Sequence, residues 1–333
     1  MAHDELPHDL LMERLDEMAR SAVPVYGLNP ESAVTMINHS ENTTFRIDDP
    51  ATGGRTALRV HRNDYHSKNG IGCELAWMKA LREQAGVITP TPIPAPDGEV
   101  INLLEAPGLR SRYSVLFEFL DGDEPSEDEL LGPFRVLGEI SARIHKHSEG
   151  WRLPENFERL QWDFEHMLGG SPNWGDWKEA PALDAERIAL IERQVAVIKR
   201  RLEAFGKAPR RFSLVHADLR LANLLIHDGT TQVIDFDDCG LSWYLYDLAT
   251  ALSFIEERPD VPELVDAWVE GYRTERELGE EDVAEIPTFL MLRRTLILAW
   301  MGSHSQTDLA RELGPDYTAV SCDLAETYLA DFG

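Results

Sequence analysis

The chain lacks the features that would commit it to a membrane, an oxidising compartment or a nucleic acid. No apolar run approaches the roughly 18 residues needed to span a bilayer. The opening segment MAHDELPHDLLMERLDEMAR is charged throughout rather than built as a leader. Cysteine is scarce: Cys73, Cys239 and Cys322 are odd in number, far apart and without metal-ligand spacing, which predicts reduced thiols in a cytoplasm. Basic residues are outnumbered, 32 Lys and Arg against 59 Asp and Glu, for a formal net charge of -27. That balance argues against nucleic acid and anionic membrane as partners and leaves a small molecule. Nothing in the pattern fixes an oligomeric state. A length of 333 residues is enough for two lobes, each with a core.

What is present centres on residues 214–238, LVHADLRLANLLIHDGTTQVIDFDD. His216, Asp218 and Asn223 form an H-x-D-x-x-x-x-N pattern. Behind it, Leu224 to Ile226 and Val233 to Ile234 flank Asp228-Gly229, the sequence of a β-hairpin with a tight turn. Folding that hairpin brings Asn223 beside Asp235, with Asp218 nearby. Two oxygen ligands on one edge suit Mg²⁺, a hard cation that leaves its other positions to phosphate and water. These are the parts of a kinase catalytic loop: Asp218 for the attacking hydroxyl, Asn223 and Asp235 for the metal, and Arg220 facing the transferred phosphoryl group. A bare H-x-D in an acidic protein is usually a solvated loop, and it is the Asn, the hairpin and the closing Asp that decide.

Two stretches are locally basic despite the overall charge. Met36 to Gly72 has five Lys and Arg against four acids, and Lys199 to Asn223 has seven against two. These are the stretches a kinase would set against ATP, although Arg200, Arg201, Arg210 and Arg211 are equally readable as surface charges.

Taken in order, His8 to Ala22 has the 3 to 4 spacing of an amphipathic helix. From Ala33 the pattern alternates as strands: AVTMINHS, TTFRID and TALRVHR. The link His39-Ser40-Glu41-Asn42 has no glycine, so it is not a G-x-G-x-x-G loop, yet Ser40, Asn42 and Thr43 lie where backbone amides would cover the phosphates. Arg59 on the third strand and Glu74 in the helix predicted over 71–84 form a candidate phosphate-positioning pair. Gly86 to Gly98 is a proline-rich, stiff connection. Strands are predicted at 99–104 and 113–119, with Glu118 and Leu120 at a hinge whose backbone reads adenine. Six acids in Asp121 to Leu130 suggest a solvated entry loop or, alternatively, a cleft mouth that favours a cationic substrate.

Beyond the hinge the pattern is helical at 127–147, 184–205, 240–254, 262–276, 283–301 and 317–329. Trp162, Trp174 and Trp177 interleave with Asp163 and Asp176, a composition that suits either a core or a cage for an ammonium group. Trp243 and Asp238 are further candidates for the acceptor side, and Asp247 for a brace behind the catalytic loop. The terminal Asp331-Phe332-Gly333 copies a kinase metal motif but has no chain after it to build a site.

With ENTTFRI, ALRVHR, IDFDDCG and YDLA in view, the chain resembles the aminoglycoside phosphotransferase and choline kinase superfamily. It looks nearest to homoserine kinase type II and a bacterial stress-response Ser/Thr kinase. The resemblance runs from about Val34 to the last helix. It implies an α+β, bilobal protein-kinase-like fold: a small antiparallel sheet with one main helix at 1–120, and a larger, mostly helical lobe at 121–333. It also implies ATP and Mg²⁺ as cofactors, Asp218 as catalytic base, and Asn223 and Asp235 as ligands. Ala217 stands where the superfamily commonly has Gly, and Arg59 where it has Lys, a change that keeps charge but alters reach. The activity implied is phosphorylation of a hydroxyl on a small, amine-bearing metabolite: an amino alcohol, a homoserine-like amino acid or an amino sugar. The alternatives are a protein Ser/Thr kinase and an inactive nucleotide-binding module.

Overall fold

The computed structural model describes residues 6–39, 42–126, 129–305 and 307–333. In chain order the strands are β1 (Ala33–His39), β2 (Thr43–Asp48), β3 (Arg55–Val60), β4 (Pro92–Ile93), β5 (Ile101–Leu104), β6 (Arg112–Glu118), β7 (Leu160–Trp162), β8 (Phe212–Val215), β9 (Leu224–His227), β10 (Thr230–Val233) and β11 (Gly240–Trp243). The α-helices are α1 (His8–Val25), α2 (Lys68–Ala80), α3 (Leu131–Gly150), α4 (Phe164–Met167), α5 (Ala185–Phe205), α6 (Leu245–Ala251), α7 (Val261–Arg273), α8 (Glu280–Val283), α9 (Ile286–Ser303) and α10 (Asp308–Phe332).

The first sheet follows from alternation. In β2, Thr43, Phe45 and Ile47 are buried while their neighbours are half-exposed, the period of 2 that gives a strand one apolar face. The strands pair antiparallel in the order β1-β2-β3-β6-β4, with β5 also on β6. Helix α1 lays Leu15, Met18, Ala19 and Ala22 into one core with Phe45, Leu58 and Leu116 of this sheet. At its end, the Tyr26 hydroxyl donates to the Ser114 carbonyl at 3.0 Å.

Helix α2 begins earlier than periodicity suggests, because Ser67 caps it by accepting from the Gly70 N–H at 3.0 Å. Its apolar face joins the larger core, where Trp77 meets Phe236 edge-on at 5.6 Å. A cation in β3 and a carboxylate in α2 thereby come within reach of the hairpin formed by β9 and β10.

The larger lobe is built on helices. α3 and α7 cross in backbone contact through two glycines: a Cβ on Gly138 would lie 2.1 Å from the Trp268 carbonyl oxygen, and one on Gly271 would lie 1.9 Å from that of Arg135. The first helix here starts at Leu131 rather than near 127; residues 127 and 128, where the expectation began, lie outside the described residues. Residues 240–254 also depart from the helix expected throughout. Gly240 to Trp243 form β11, pairing antiparallel with β8 and parallel with β7 before α6 begins. Helix α10 is broken at Gly314, where φ is 50° ahead of Pro315. The terminal Asp-Phe-Gly builds no site: Asp331 and Phe332 finish α10, with Phe332 against the Arg201 guanidinium at 4.2 Å. Among the described residues no helix is long and apolar enough to cross a membrane.

Candidate active site

The hairpin β9–β10 forms in the predicted register, with Leu224 opposite Val233 and the turn at Asp228-Gly229. The Ile234 N–H donates to the Asn223 carbonyl at 2.9 Å, holding the residues before and after the hairpin together. His216 supports the loop from within. Its Nδ1 accepts from the Asp218 N–H at 3.3 Å, and its Nε2–H donates to the Ile234 carbonyl at 3.0 Å.

Asp247 is the brace behind the loop. Its carboxylate accepts from the N–H of His216 at 3.2 Å and of Ala217 at 2.7 Å, and from His145 Nε2 at 2.9 Å. The Tyr272 hydroxyl sits 3.0 Å from His145 Nδ1, so α3 and α7 both tie into the loop. Burial lowers the pKa of His145 despite the Asp247 carboxylate, which keeps the ring neutral and a donor through Nε2. Ala217 is held at φ 67°, a left-handed conformation that explains why glycine suits this position.

Asp218 lies in a cleft between the first sheet and the helices. Its Oδ1 accepts from Arg293 Nη2 at 3.0 Å and its Oδ2 from Asn223 Nδ2 at 3.0 Å, while Arg220 Nε straddles both oxygens at 3.2 Å. Burial opposes the charge of this carboxylate, but Arg220 and Arg293 outweigh it and hold its pKa below the ordinary aspartate value. Arg293, from the middle of α9, is a cleft residue that motif reasoning missed. The signal was there: two adjacent arginines inside the apolar helix LMLRRTLILAW must be buried, and a buried charge needs partners.

Across the cleft Arg59 Nη2 bonds Glu74 Oε1 at 2.7 Å, both side chains buried, as the strand and helix pattern predicts. Burial works against the Arg59 charge, but Glu74, Asp237 and Asp235 more than compensate, and its pKa is raised. Asp235 opens to the cleft with protein packed around the rest of it. That crowding first, and the neighbouring Asp237 second, push its carboxyl up to about 7, with Arg59 partly offsetting them.

The chemistry of this wall fits a divalent cation. Both Asn223 Nδ2 hydrogen bonds go to Asp218, which leaves the amide carbonyl as the group able to ligate. Beside it are Asp235 and Asp237, whose buried Oδ1 has His61 Nδ1 and His66 Nε2 only at the longer distances of 3.5 and 3.6 Å. All are hard oxygen donors. Glu74 Oε2 and Arg59 Nε are likewise buried without partners, as expected beside a site completed by ligands.

Other expected residues fall differently. Asn42 and Arg59 line the cleft. Thr43 does not: it is fully buried, with Oγ1 2.9 Å from His39 Nδ1, and strand alternation puts Thr44 on the cleft side instead. Ser40 lies outside the described residues. Glu118 and Leu120 stand where the chain leaves β6, with the Glu118 N–H donated to the Thr91 carbonyl at 2.9 Å. Asp238 and Trp174 line the cleft, and Asp238 accepts from the Tyr65 hydroxyl.

Trp162 and Trp243 are core residues rather than an acceptor cage. They are 1% and 2% exposed, and their Nε1–H groups donate inward to the carbonyls of Asp238 and Gly206, each at 2.8 Å. Pairing of β11 with β8 turns Trp243 onto Phe212. Trp300, not singled out by sequence, stands in the cleft with Trp174. The basic stretch at 199–211 serves structure: Arg201 pairs with Glu285, and Arg210 and Arg211 with Glu281 and Asp282. Cys239 is fully buried, and burial pushes its thiol up to about 12, so it is inert.

Residues 34–283 match the phosphotransferase enzyme family. The chain belongs to that family. Its fold superposes on the solved structure of a microcompartment-associated aminopropanol kinase with a TM-score of 0.88 and 43% identity, covering 95% of this chain and 98% of the other. A structure of an amicoumacin kinase with AMP-PNP and Ca²⁺ shares the fold at a TM-score of 0.76 and 23% identity, covering 97% and 96%. In sequence it is 26% identical to an amicoumacin kinase of Bacillus subtilis over 265 residues, 76% of this chain and 74% of that protein. The chain is therefore an ATP-dependent small-molecule phosphotransferase acting on a hydroxyl group, on a bilobal protein-kinase-like fold.

Proposed function

We propose that this phosphotransferase is a Mg²⁺-dependent kinase of a small amino alcohol. The observation that carries it is the composition of the acceptor half of the cleft. Beside Asp218 stand Trp174, Trp300, Phe254 and Ile297, an aromatic and apolar wall, together with the carboxylate of Asp238. The cations there, Arg220 and Arg293, are both engaged with Asp218. Such a pocket attracts an ammonium group through carboxylate and ring faces, and it gives a substrate carboxylate no uncommitted cation among the described lining residues. The 43% identity to an aminopropanol kinase supports the same class.

In this proposal the acceptor hydroxyl is received by Asp218. As its oxygen bonds to the γ-phosphorus, the bond to the bridging oxygen of ADP breaks and the hydroxyl proton passes to the Asp218 carboxylate. Asn223 and Asp235 would hold Mg²⁺, which would supply neutralisation of phosphate charge. The Arg59 and Glu74 pair and the segment at Asn42 position the phosphates, and the backbone at Glu118 and Leu120 takes the adenine.

The test is ADP release with MgATP over ethanolamine, aminopropanols, choline, homoserine and an aminoglycoside, alongside propanediols that lack the amine. Amino alcohols should give the highest kcat/KM, with a loss of about tenfold or more when the amine is removed or a carboxylate added. Faster turnover of homoserine or of a propanediol would sink the amino alcohol assignment.

A further inference from the structure

Arg293 is set apart from the motif that holds the other charged groups around Asp218. It comes from α9, beyond residue 283, where the family match ends. Its side chain is about 4% exposed, and its guanidinium is fixed at three points: Nε to Ser253 Oγ at 3.0 Å, Nη1 to the Tyr246 hydroxyl at 2.9 Å and Nη2 to Asp218 Oδ1 at 3.0 Å. Tyr246 is itself fully buried, so this mount is rigid.

An ionised carboxylate offers about four acceptor positions. At Asp218 three N–H groups share them: Oδ1 receives Arg293, Oδ2 receives Asn223, and the single Arg220 Nε–H lies between the two oxygens. A hydroxyl approaching the carboxylate has to take the place that this shared hydrogen covers. Asn223 is held by a second bond to the Asp218 carbonyl at 2.8 Å, and Arg293 by its two other partners. Arg220 straddles the carboxylate through one nitrogen at 3.2 Å with its side chain one-third exposed, so it is the donor that can move.

We propose that Arg293 is a positioning residue for phosphoryl transfer: it fixes Oδ1 of Asp218, so that when Arg220 turns from the carboxylate to the transferred phosphoryl group the carboxylate keeps its aim at the acceptor hydroxyl. This rests on Asp218 being the group that receives the hydroxyl. Misplacing a reacting group by 1 Å costs about 10²-fold, and binding of the nucleotide on the opposite wall is untouched.

The experiment compares Arg293→Ala with wild type, using the acceptor that gives the highest wild-type turnover. The expected result is a fall in kcat of about 10²-fold with KM for MgATP unchanged, partly restored by added guanidinium ion. Tyr246→Phe, which removes one anchor, should show a smaller fall of the same kind. Arg294→Ala, which breaks a neighbouring buried pair with Glu256 at 2.7 Å, controls for lost stability and should keep its kcat below its melting range. A folded Arg293→Ala with wild-type kcat overturns the proposal, as does a loss matched by Arg294→Ala or indifferent to guanidinium. If Arg293→Ala does not fold, wild-type kcat in both Tyr246→Phe and Ser253→Ala overturns it. Failure of the functional assignment appears in the wild type's acceptor profile, whereas failure of this one appears only between variants.

Discussion

The two walls of the cleft are both built from buried ion pairs, yet they differ in how completely those pairs are satisfied. On the Asp218 wall both carboxylate oxygens receive N–H donors. On the Arg59 wall, Arg59 Nε, Glu74 Oε2 and His61 Nε2 are buried without a hydrogen-bond partner among the described residues, and Asp237 Oδ1 has His61 Nδ1 no nearer than 3.5 Å. A native protein tolerates few such atoms. The contrast fits the proposed division of labour, in which one wall is organised in advance and the other is completed by phosphate and metal.

Breaking the incomplete wall should have the largest effect. Glu74→Ala takes from buried Arg59 the one carboxylate it is hydrogen-bonded to, and loss of one partner of a buried pair costs about 3 to 5 kcal/mol. Urea unfolding measures it, and a loss below about 1 kcal/mol would mean that Arg59 finds water or another carboxylate. On the complete wall, Asp218→Asn should lower kcat by about 10² or more with little change in nucleotide binding, seen by comparing ADP release with titration of MgATP. Equal loss in binding and turnover would erase the distinction between the walls.

Acid should weaken the whole assembly. Burial depresses the pKa values of His61, His145 and His216, and that of His66 to about 4. Below the unfolded value of about 6.5 the unfolded chain binds more protons, so their contribution is present above that pH and is lost as pH falls through it toward the folded values. Asp235 and Glu256, whose pKa values are raised, act in the opposite sense, but the histidines outnumber them. The urea midpoint of the metal-free protein should therefore drop between pH 7.5 and 5.5, and a flat profile would show that these rings gain water in solution. The smallest effect concerns Ala217: glycine relieves the strain at φ 67°, and Ala217→Gly should raise stability by about 1 kcal/mol. Lower stability in that variant would mean that backbone freedom in the unfolded chain dominates.

Local chemistry was legible in the sequence, and long-range placement was not. The hairpin, the placing of Asp218 beside Asn223, the Arg59 and Glu74 pair and the Asp247 brace all follow from spacing within one or two elements. Thr43 was misplaced by one residue, which in a strand means the opposite face. Trp243 was misjudged because residues 240–243 look helical beside the apolar run after them, and only pairing with β8, far away in sequence, turns its ring inward. Arg293 was missed because its partners, Ser253, Tyr246 and Asp218, lie 40 to 75 residues away.

The glycine crossing of α3 and α7 has a consequence for how this enzyme tolerates change. Tyr272 directly follows Gly271, and His145 lies two turns after Gly138 on the same helix, so a methyl group at either glycine would push apart the two residues that stand behind Asp247. A saturation library sorted for turnover should thus show a second band of intolerant positions at Gly138 and Gly271, remote from any substrate. Inherited or engineered variation would be filtered there as strictly as in the cleft itself.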